Sequence, residues 1–478
     1  MAKTKRPILT LRRADPADDR AVILGTYDVL LPCRLYTVDH KVTEVGRVSL
    51  TAEFLLRLLK SVDGMSETDV AAFFGFDNRD MSFVLNEIDT HGYVDRKDGQ
   101  LWLTPLGQAL FRGASPYPEI YEIEERQETV GFDLIALAPQ DRGSLELFEL
   151  RLPELKLRDP EVASFATKHI PRAFRKFYAE IISRRDPAAT TKRSLYSVDE
   201  VAAKDRFSSL VRISVVSKVA RPSVAEPDLS DWRGDHERDD RAAVTESAAR
   251  FVESLSVSRR ADDRDAYQLL LDMAPEYLKD FARRDGLSVD RYFREVLTRE
   301  GDVRIDRPTV PVVGSLLTRD NSRRLLEVAD YGLRQASRLP SFSVWLAPQT
   351  PFWGATGALP AILGQIKARI EGQSGSTAQE TDFQNIALIA GRPAKYIESA
   401  FDRVVTCDFA RLPPAVELLV IPRVLTAVLV HAPIGTLNGT AVPVGIISFD
   451  ERVMSRVHTV VAEQTRNLNL PYDRLLEN

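Results

Sequence analysis

Glu154 and Lys156 flank Leu155, a spacing that turns a carboxylate and an ammonium to the same face of a β-strand. With Asp133 or Asp141 upstream as a metal partner, such a set would hold Mg²⁺ while the lysine steadies an attacking water, the chemistry of a metal-dependent nuclease. Pro153 interrupts the run, and Glu-x-Lys arises easily in a chain with 28% charged residues, so a surface strand of alternating charge is the competing reading. A second candidate is His431, which follows the apolar run Leu425–Val430 and precedes Pro433, Asn438 and Gly445. The other histidines (His40, His91, His169, His236, His458) make no i, i+4 pair and have no nearby cysteine. Cys33 and Cys407 both lie in apolar, strand-like runs, so neither a disulfide framework nor a cysteine-based zinc site is expected; the expectation is no metal and no cofactor. Gly354-Ala-Thr-Gly357 precedes a helix but lacks the lysine of a P-loop and the third glycine of a dinucleotide fingerprint, and reads as a turn. No Gly-x-Ser-x-Gly elbow occurs.

The residues around His431 resemble the second half of a phospholipase D-like domain, whose signature is His-x-Lys, four residues, Asp, six residues, Gly-Ser. Here His431 stands at the histidine, Asn438 at the aspartate and Gly445 at the glycine, whereas Pro433 replaces the lysine and Ile446 the serine. The resemblance implies a histidine nucleophile forming a phosphohistidine and a lysine holding the phosphate. Proline can do neither, so the resemblance implies a degenerate, inactive site. The same residues also suit a plain strand-turn-strand.

The elements that would position any of these groups are clearest between Ser49 and Ala114. Thr51–Val62 carries Phe54, Leu55, Leu58, Leu59 and Val62 on one helical face. Ser66 then caps a helix closed by Gly75, and a third helix runs from about Asp77 to His91 with Met81, Val84, Leu85 and Ile88 inward. Tyr93-Val94, a turn at Lys97-Asp98-Gly99, Leu101-Trp-Leu103 and the cap Thr104-Pro105-Leu-Gly107 complete a two-stranded wing and closing helix. This stretch, with its Leu-Trp-Leu-Thr-Pro-Leu-Gly ending, resembles the winged helix-turn-helix domains of bacterial transcription regulators.

That resemblance implies DNA contact through the third helix and wing, with Arg79, Arg96 and Lys97 as the phosphate-binding cations. The charge points elsewhere. Six cations face ten anions between Ser49 and Ala114, and Asp77, Asp80, Glu87 and Asp89 surround Arg79 on the third helix. Such a surface repels phosphate and suits a basic protein partner, so DNA contact and protein docking stand side by side.

Before this module, residues 1–19 form a polar arm and 20–48 read as two short strands broken at Pro32; 115–158 are β-rich, with Leu145–Leu152 as a strand. Residues 159–305 read as a helical middle with a charged surface excursion near 225–241, and Arg172, Arg175 and Lys176 on one helix offer a further nucleic-acid contact. From 306 to 478, continuous apolar runs alternating with helices predict an α/β domain whose sheet is covered on both faces.

The expected fold is therefore a multi-domain α+β protein: a winged helix with flanking strands, a helical middle and a C-terminal α/β domain. A chain of 478 residues with 44% hydrophobic residues affords several cores, and a net charge of −5 argues against general coating of nucleic acid or of an anionic membrane. No run nears the ~18 apolar residues of a membrane span, so the expectation is a cytoplasmic protein with no membrane partner. The excess of arginine over lysine suggests a GC-rich bacterial coding sequence. The function expected is a non-catalytic, nucleic-acid-associated or scaffolding subunit of a bacterial multi-protein system, such as phage defence or DNA processing, with other subunits, DNA or a second copy of the chain as partners. The alternatives are a nuclease or phosphodiesterase using His431 or Glu154 and Lys156, and a transcription regulator.

Overall fold

A computed structural model describes residues 20–45, 50–62, 64–90, 92–111, 118, 121–157, 160–185, 193–232, 241–284, 286–297, 304–373, 383–407 and 412–465. The chain has a mixed α/β architecture and divides into two compact units. The smaller comprises Cys33–Asp141 and Glu161–Phe207; the larger comprises Met1–Pro32, Arg142–Pro160 and Ser208–Asn478.

The smaller unit takes most of β1 (Ala21–Val45), then α1 (Leu50–Ser61), β2 (Met65–Ser66), α2 (Glu67–Phe74), α3 (Asn78–Thr90), β3 (Val94–Lys97), β4 (Gln100–Leu103), α4 (Pro105–Ala109) and β5 (Tyr121–Asp133). After α5 (Pro160–Ser164) come α6 (Ala166–Arg185) and the first part of β6 (Arg193–Lys218). Local chemistry explains the compact run from α1 to α4. Ser66 Oγ accepts the Asp69 N–H at 3.1 Å to start α2, Gly75 ends it at φ 72°, and Thr104 Oγ1 accepts the Gly107 N–H at 3.0 Å with Pro105 at the first helical position of α4. Asp98 and Gly99 both have positive φ (54° and 74°), the geometry of a tight hairpin between β3 and β4. Met81, Val84, Leu85 and Ile88 are buried as expected. On α1, however, Ala52, Leu55, Leu56 and Leu59 face the core while Phe54 and Val62 are exposed. A leucine-rich helix offers two apolar faces, and Phe54 is left outside under the Arg57 guanidinium, 5.0 Å from its ring centre.

Where two short strands are predicted near the N-terminus, β1 is one strand of 25 residues. Pro32 lies one residue beyond the last β5 pair, Cys33 with Asp133, so its missing N–H takes nothing from that ladder. Residues 145–152, expected as a strand, instead form a turn and a short 3-10 helix at Glu149–Arg151, with Glu149 Oε2 accepting the Glu146 N–H at 2.8 Å.

The larger unit contains β7 (Arg221–Asp228), α7 (Ala242–Glu253), β8 (Ser256–Ser258), α8 (Asp263–Met273), α9 (Pro275–Leu278), β9 (Ala282–Arg283), β10 (Gly286–Leu287) and α10 (Val289–Val296). It continues through β11 (Thr309–Val313), α11 (Arg319–Gln335), β12 (Phe342–Leu346), α12 (Ala358–Gln373), β13 (Gln384–Ala390), α13 (Lys395–Ala400) and β14 (Arg403–Cys407). It closes with β15 (Val416–Ile421), β16 (Leu425–Ala432), β17 (Asn438–Thr440), β18 (Val442–Ser448) and α14 (Glu451–Thr465). The middle of the chain is thus not helical throughout: β6 and β7 pair antiparallel from Ser214 with Asp228. Val211, Ile213 and Val215 alternate inward at the end of β6, but the charges at its start conceal that period.

One sheet of seven strands, in the order β11-β18-β16-β15-β12-β13-β14, organises this unit. β12, β13 and β14 run parallel, and the remaining pairs are antiparallel. β15, β16 and β18 are buried along their whole length, which is why their sequences read as unbroken apolar runs. Among the described residues no helix is long and apolar enough to cross a membrane.

Candidate functional site

Glu417 is the one charge in the apolar run of β15, and a buried carboxylate costs several kcal/mol unless it is paired. The sheet register supplies the partners. β15 and β16 pair Glu417 with Leu429, two residues before His431, so Glu417 and His431 share a face, and the backbone N–H of His431 donates to Ala415 at 2.8 Å. On that face His431 Nε2 lies 2.5 Å from Glu417 Oε2. Trp345, brought alongside by β12, donates its indole N–H to Glu417 Oε1 at 2.8 Å, and Trp353 adds a second at 3.3 Å. Burial, and then the negative charge of Glu417, pushes the Tyr27 phenol up to about 12.

His431 also lines a cavity of about 30 Å³ with Thr26, Tyr27, Ser315, Thr350 and Thr356. That is room for about one water, not for a phosphodiester. A carboxylate-oriented imidazole is the arrangement of a general base or nucleophile, but here it opens onto a space too small for a substrate.

A second buried carboxylate lies on β1. Asp28, fully buried, receives the Arg212 guanidinium through Nε at 2.8 Å and Nη2 at 3.2 Å, the Thr356 hydroxyl at 3.2 Å and the Gly357 N–H at 2.7 Å. The Gly354–Gly357 turn therefore directs its free N–H at a carboxylate of the same chain, as helix starts favour.

The other sequence candidates are placed as follows. Asn438 is exposed on β17, paired with Ser258 of β8. Gly445 is fixed by packing: a Cβ there would meet the Val428 carbonyl at 1.9 Å. Glu154 and Lys156 are both exposed, either side of buried Leu155. Asp133 accepts the backbone N–H groups of Ile135, Ala136 and Ala138 at 2.9, 2.5 and 2.9 Å, and Asp141 pairs with Arg184 at 3.1 Å. Among the described residues no three His, Cys, Asp or Glu side chains come together as a metal site.

In the smaller unit, α3 turns Arg79, Ser82, Phe83 and Asn86 outward, opposite its core residues. Asp77 and Asp80 stand at its start. The Asp77 carboxylate accepts the N–H groups of Arg79 and Asp80, both at 2.8 Å, so its charge caps the helix. The side chains of Glu87 and Asp89 lie outside the described part of the helix. On the wing, Lys97 Nζ is 2.7 Å from Asp95, which raises the lysine's pKa and lowers the aspartate's, and Arg96 lies 3.5 Å from Glu67. On α6, Arg172, Arg175 and Lys176 are exposed, with Ile170, Phe174, Phe177 and Tyr178 on the buried side.

Sequence reasoning missed Glu417, Asp28, Trp345 and Tyr27. The signal lay in single acids within apolar strand runs, Val416–Ile421 and Thr26–Leu31, where a charge must be partnered. No family model matches the chain, and a search among curated proteins returns no relative.

Proposed function

We propose that the protein is a nucleic-acid-associated, non-hydrolysing subunit of a bacterial multi-protein system of the DNA-processing or phage-defence kind, and that α1 to α4 form a winged helix presenting α3 to duplex DNA. The outward stripe of α3 carries this reading. Arg79, Ser82, Phe83 and Asn86 recur at i, i+3, i+4 and i+7, one face of a helix. Arginine suits guanine, asparagine suits adenine and an apolar ring suits the thymine methyl, and all four are within reach of a major groove entered by one helix. The acidity of the third helix weighs less than its sequence suggests, since the Asp77 charge sits against the helix start. Arg172 and Arg175 on α6 add cations for phosphate. The water-sized space beside His431 supports a subunit without turnover.

Protein docking is the second reading, favoured by the exposure of Phe54, Phe73 and Leu106 in the same module.

Fluorescence anisotropy with labelled duplex and single-stranded DNA at about 50 and 200 mM salt tests the first reading. Salt-sensitive duplex binding is expected, with Arg79→Ala and Asn86→Ala each weakening it by about tenfold and reducing sequence preference. If neither DNA form binds at the lower salt, the nucleic-acid role fails. Docking is then tested by co-purification and by Asp80→Lys.

A further inference from the structure

A cavity of about 460 Å³ in the larger unit is built from the start of α8, the turn between β9 and α10, and the loop that follows β16. Its volume falls in the range of small-molecule sites, roughly 300–1,000 Å³. Arg259, Arg264 and Arg283 line it, and among the described residues none of the three guanidinium groups is in an ion pair. Tyr267 also lines it, with its hydroxyl buried and without a hydrogen-bond partner.

Two helices begin here. The first turns of α8 and α10 both contribute to the wall, and neither Asp262 nor Ser288 caps its helix through a side chain. Two carboxylates complete the lining: Asp263, which accepts the Arg260 N–H at 2.8 Å, and Asp290, which pairs with Arg294 at 3.2 Å. Asp263 also faces the Arg259 charge, so three guanidinium groups stand against two carboxylates in the lining and the balance is positive.

The geometry points to a binding site for a phosphomonoester of nucleotide size, its phosphate held by Arg259, Arg264 and Arg283. Planar guanidinium groups recognise phosphate bidentately, and three of them exceed what one carboxylate ligand needs. The phosphate could belong to a free nucleotide or to the 5′ end of a strand, a difference of source rather than of chemistry. The site does not depend on the DNA-reading role of α3.

Calorimetric titration of the full chain with AMP, with adenosine, with inorganic phosphate and with a 5′-phosphorylated tetranucleotide tests it. Saturable binding of AMP or of the phosphorylated tetranucleotide is expected, at least tenfold tighter than adenosine. Whichever of the two binds more tightly names the source. Arg264→Ala with Arg283→Ala should weaken that binding by tenfold or more. Both arginines are exposed, so the variant is expected to keep the parent unfolding midpoint without ligand. Adenosine binding as tightly as AMP, no binding by either phosphate compound, or unchanged affinity in the double variant would each overturn the assignment.

Discussion

Glu417 illustrates how one buried charge constrains its surroundings. Its two oxygens engage one imidazole and two indole N–H groups, and replacing it removes the acceptor for all of them. Glu417→Ala should therefore cost ~3–5 kcal/mol of unfolding free energy, read from urea midpoints, because donors are left buried and unpaired. Glu417→Gln keeps a carbonyl acceptor for the indoles and should cost less. Equal losses in the two variants would mean that packing, not the carboxylate, matters at this position. The site was only half legible in the sequence. His431 stands out by type and neighbours, but Glu417 lies fourteen positions away on the adjacent strand, and Trp345 reaches it through the β12–β15 pairing, which no local pattern encodes.

At the level of elements, legibility followed locality. Caps and hairpin turns are written within four or five residues, so α2, α3, the β3–β4 hairpin and α4 stood close to where their residues placed them. The buried face of α1 differs from the expected one because Leu55, Leu56, Leu58 and Leu59 permit two faces, and tertiary packing chooses between them. The strand character of β1 is legible, and only the break expected at Pro32 is absent, because that residue falls just outside the β5 ladder; β6 is not legible, because its strand character depends on partners rather than on a local pattern. The caps themselves can be weighed. Ser66→Ala and Thr104→Ala should each destabilise by ~1 kcal/mol, while Ser66→Asp, which restores an acceptor beside the helix N-terminus, should recover most of the first loss. Unfolding monitored at Trp102, on β4 between the two caps, would measure this, and no change in either alanine variant would refute the capping account.

For the molecule as a whole, acid should be destabilising in two stages. Burial, reinforced by the nearby Arg423 charge, lowers the His458 pKa from 6.5 to about 4, so the unfolded chain binds the extra proton first. The stability that neutral His458 provides is complete above pH 6.5 and is lost between 6.5 and 4, on the order of 1–3 kcal/mol. Glu276, held by its hydrogen bonds from Arg456 at about 2 instead of 4.5, contributes above pH 4.5 and loses that contribution as pH falls through 2. Urea midpoints measured from pH 7.5 to 4 should fall, and His458→Gln should flatten that first stage. A midpoint unchanged over this range in the parent protein would rule the histidine out as the source.

The position of Asp28 has a temporal side as well. Its guanidinium partner lies 184 residues further along and its backbone N–H partner 329. At ribosomal speeds of ~5–20 residues per second, Gly357 follows Asp28 by roughly 15–65 s. For that interval an apolar segment bearing a carboxylate waits without its full set of partners, the guanidinium arriving first and the Gly357 N–H last. The larger unit can close only when its last strands have been made, so the nascent chain must be kept from premature association for most of its synthesis.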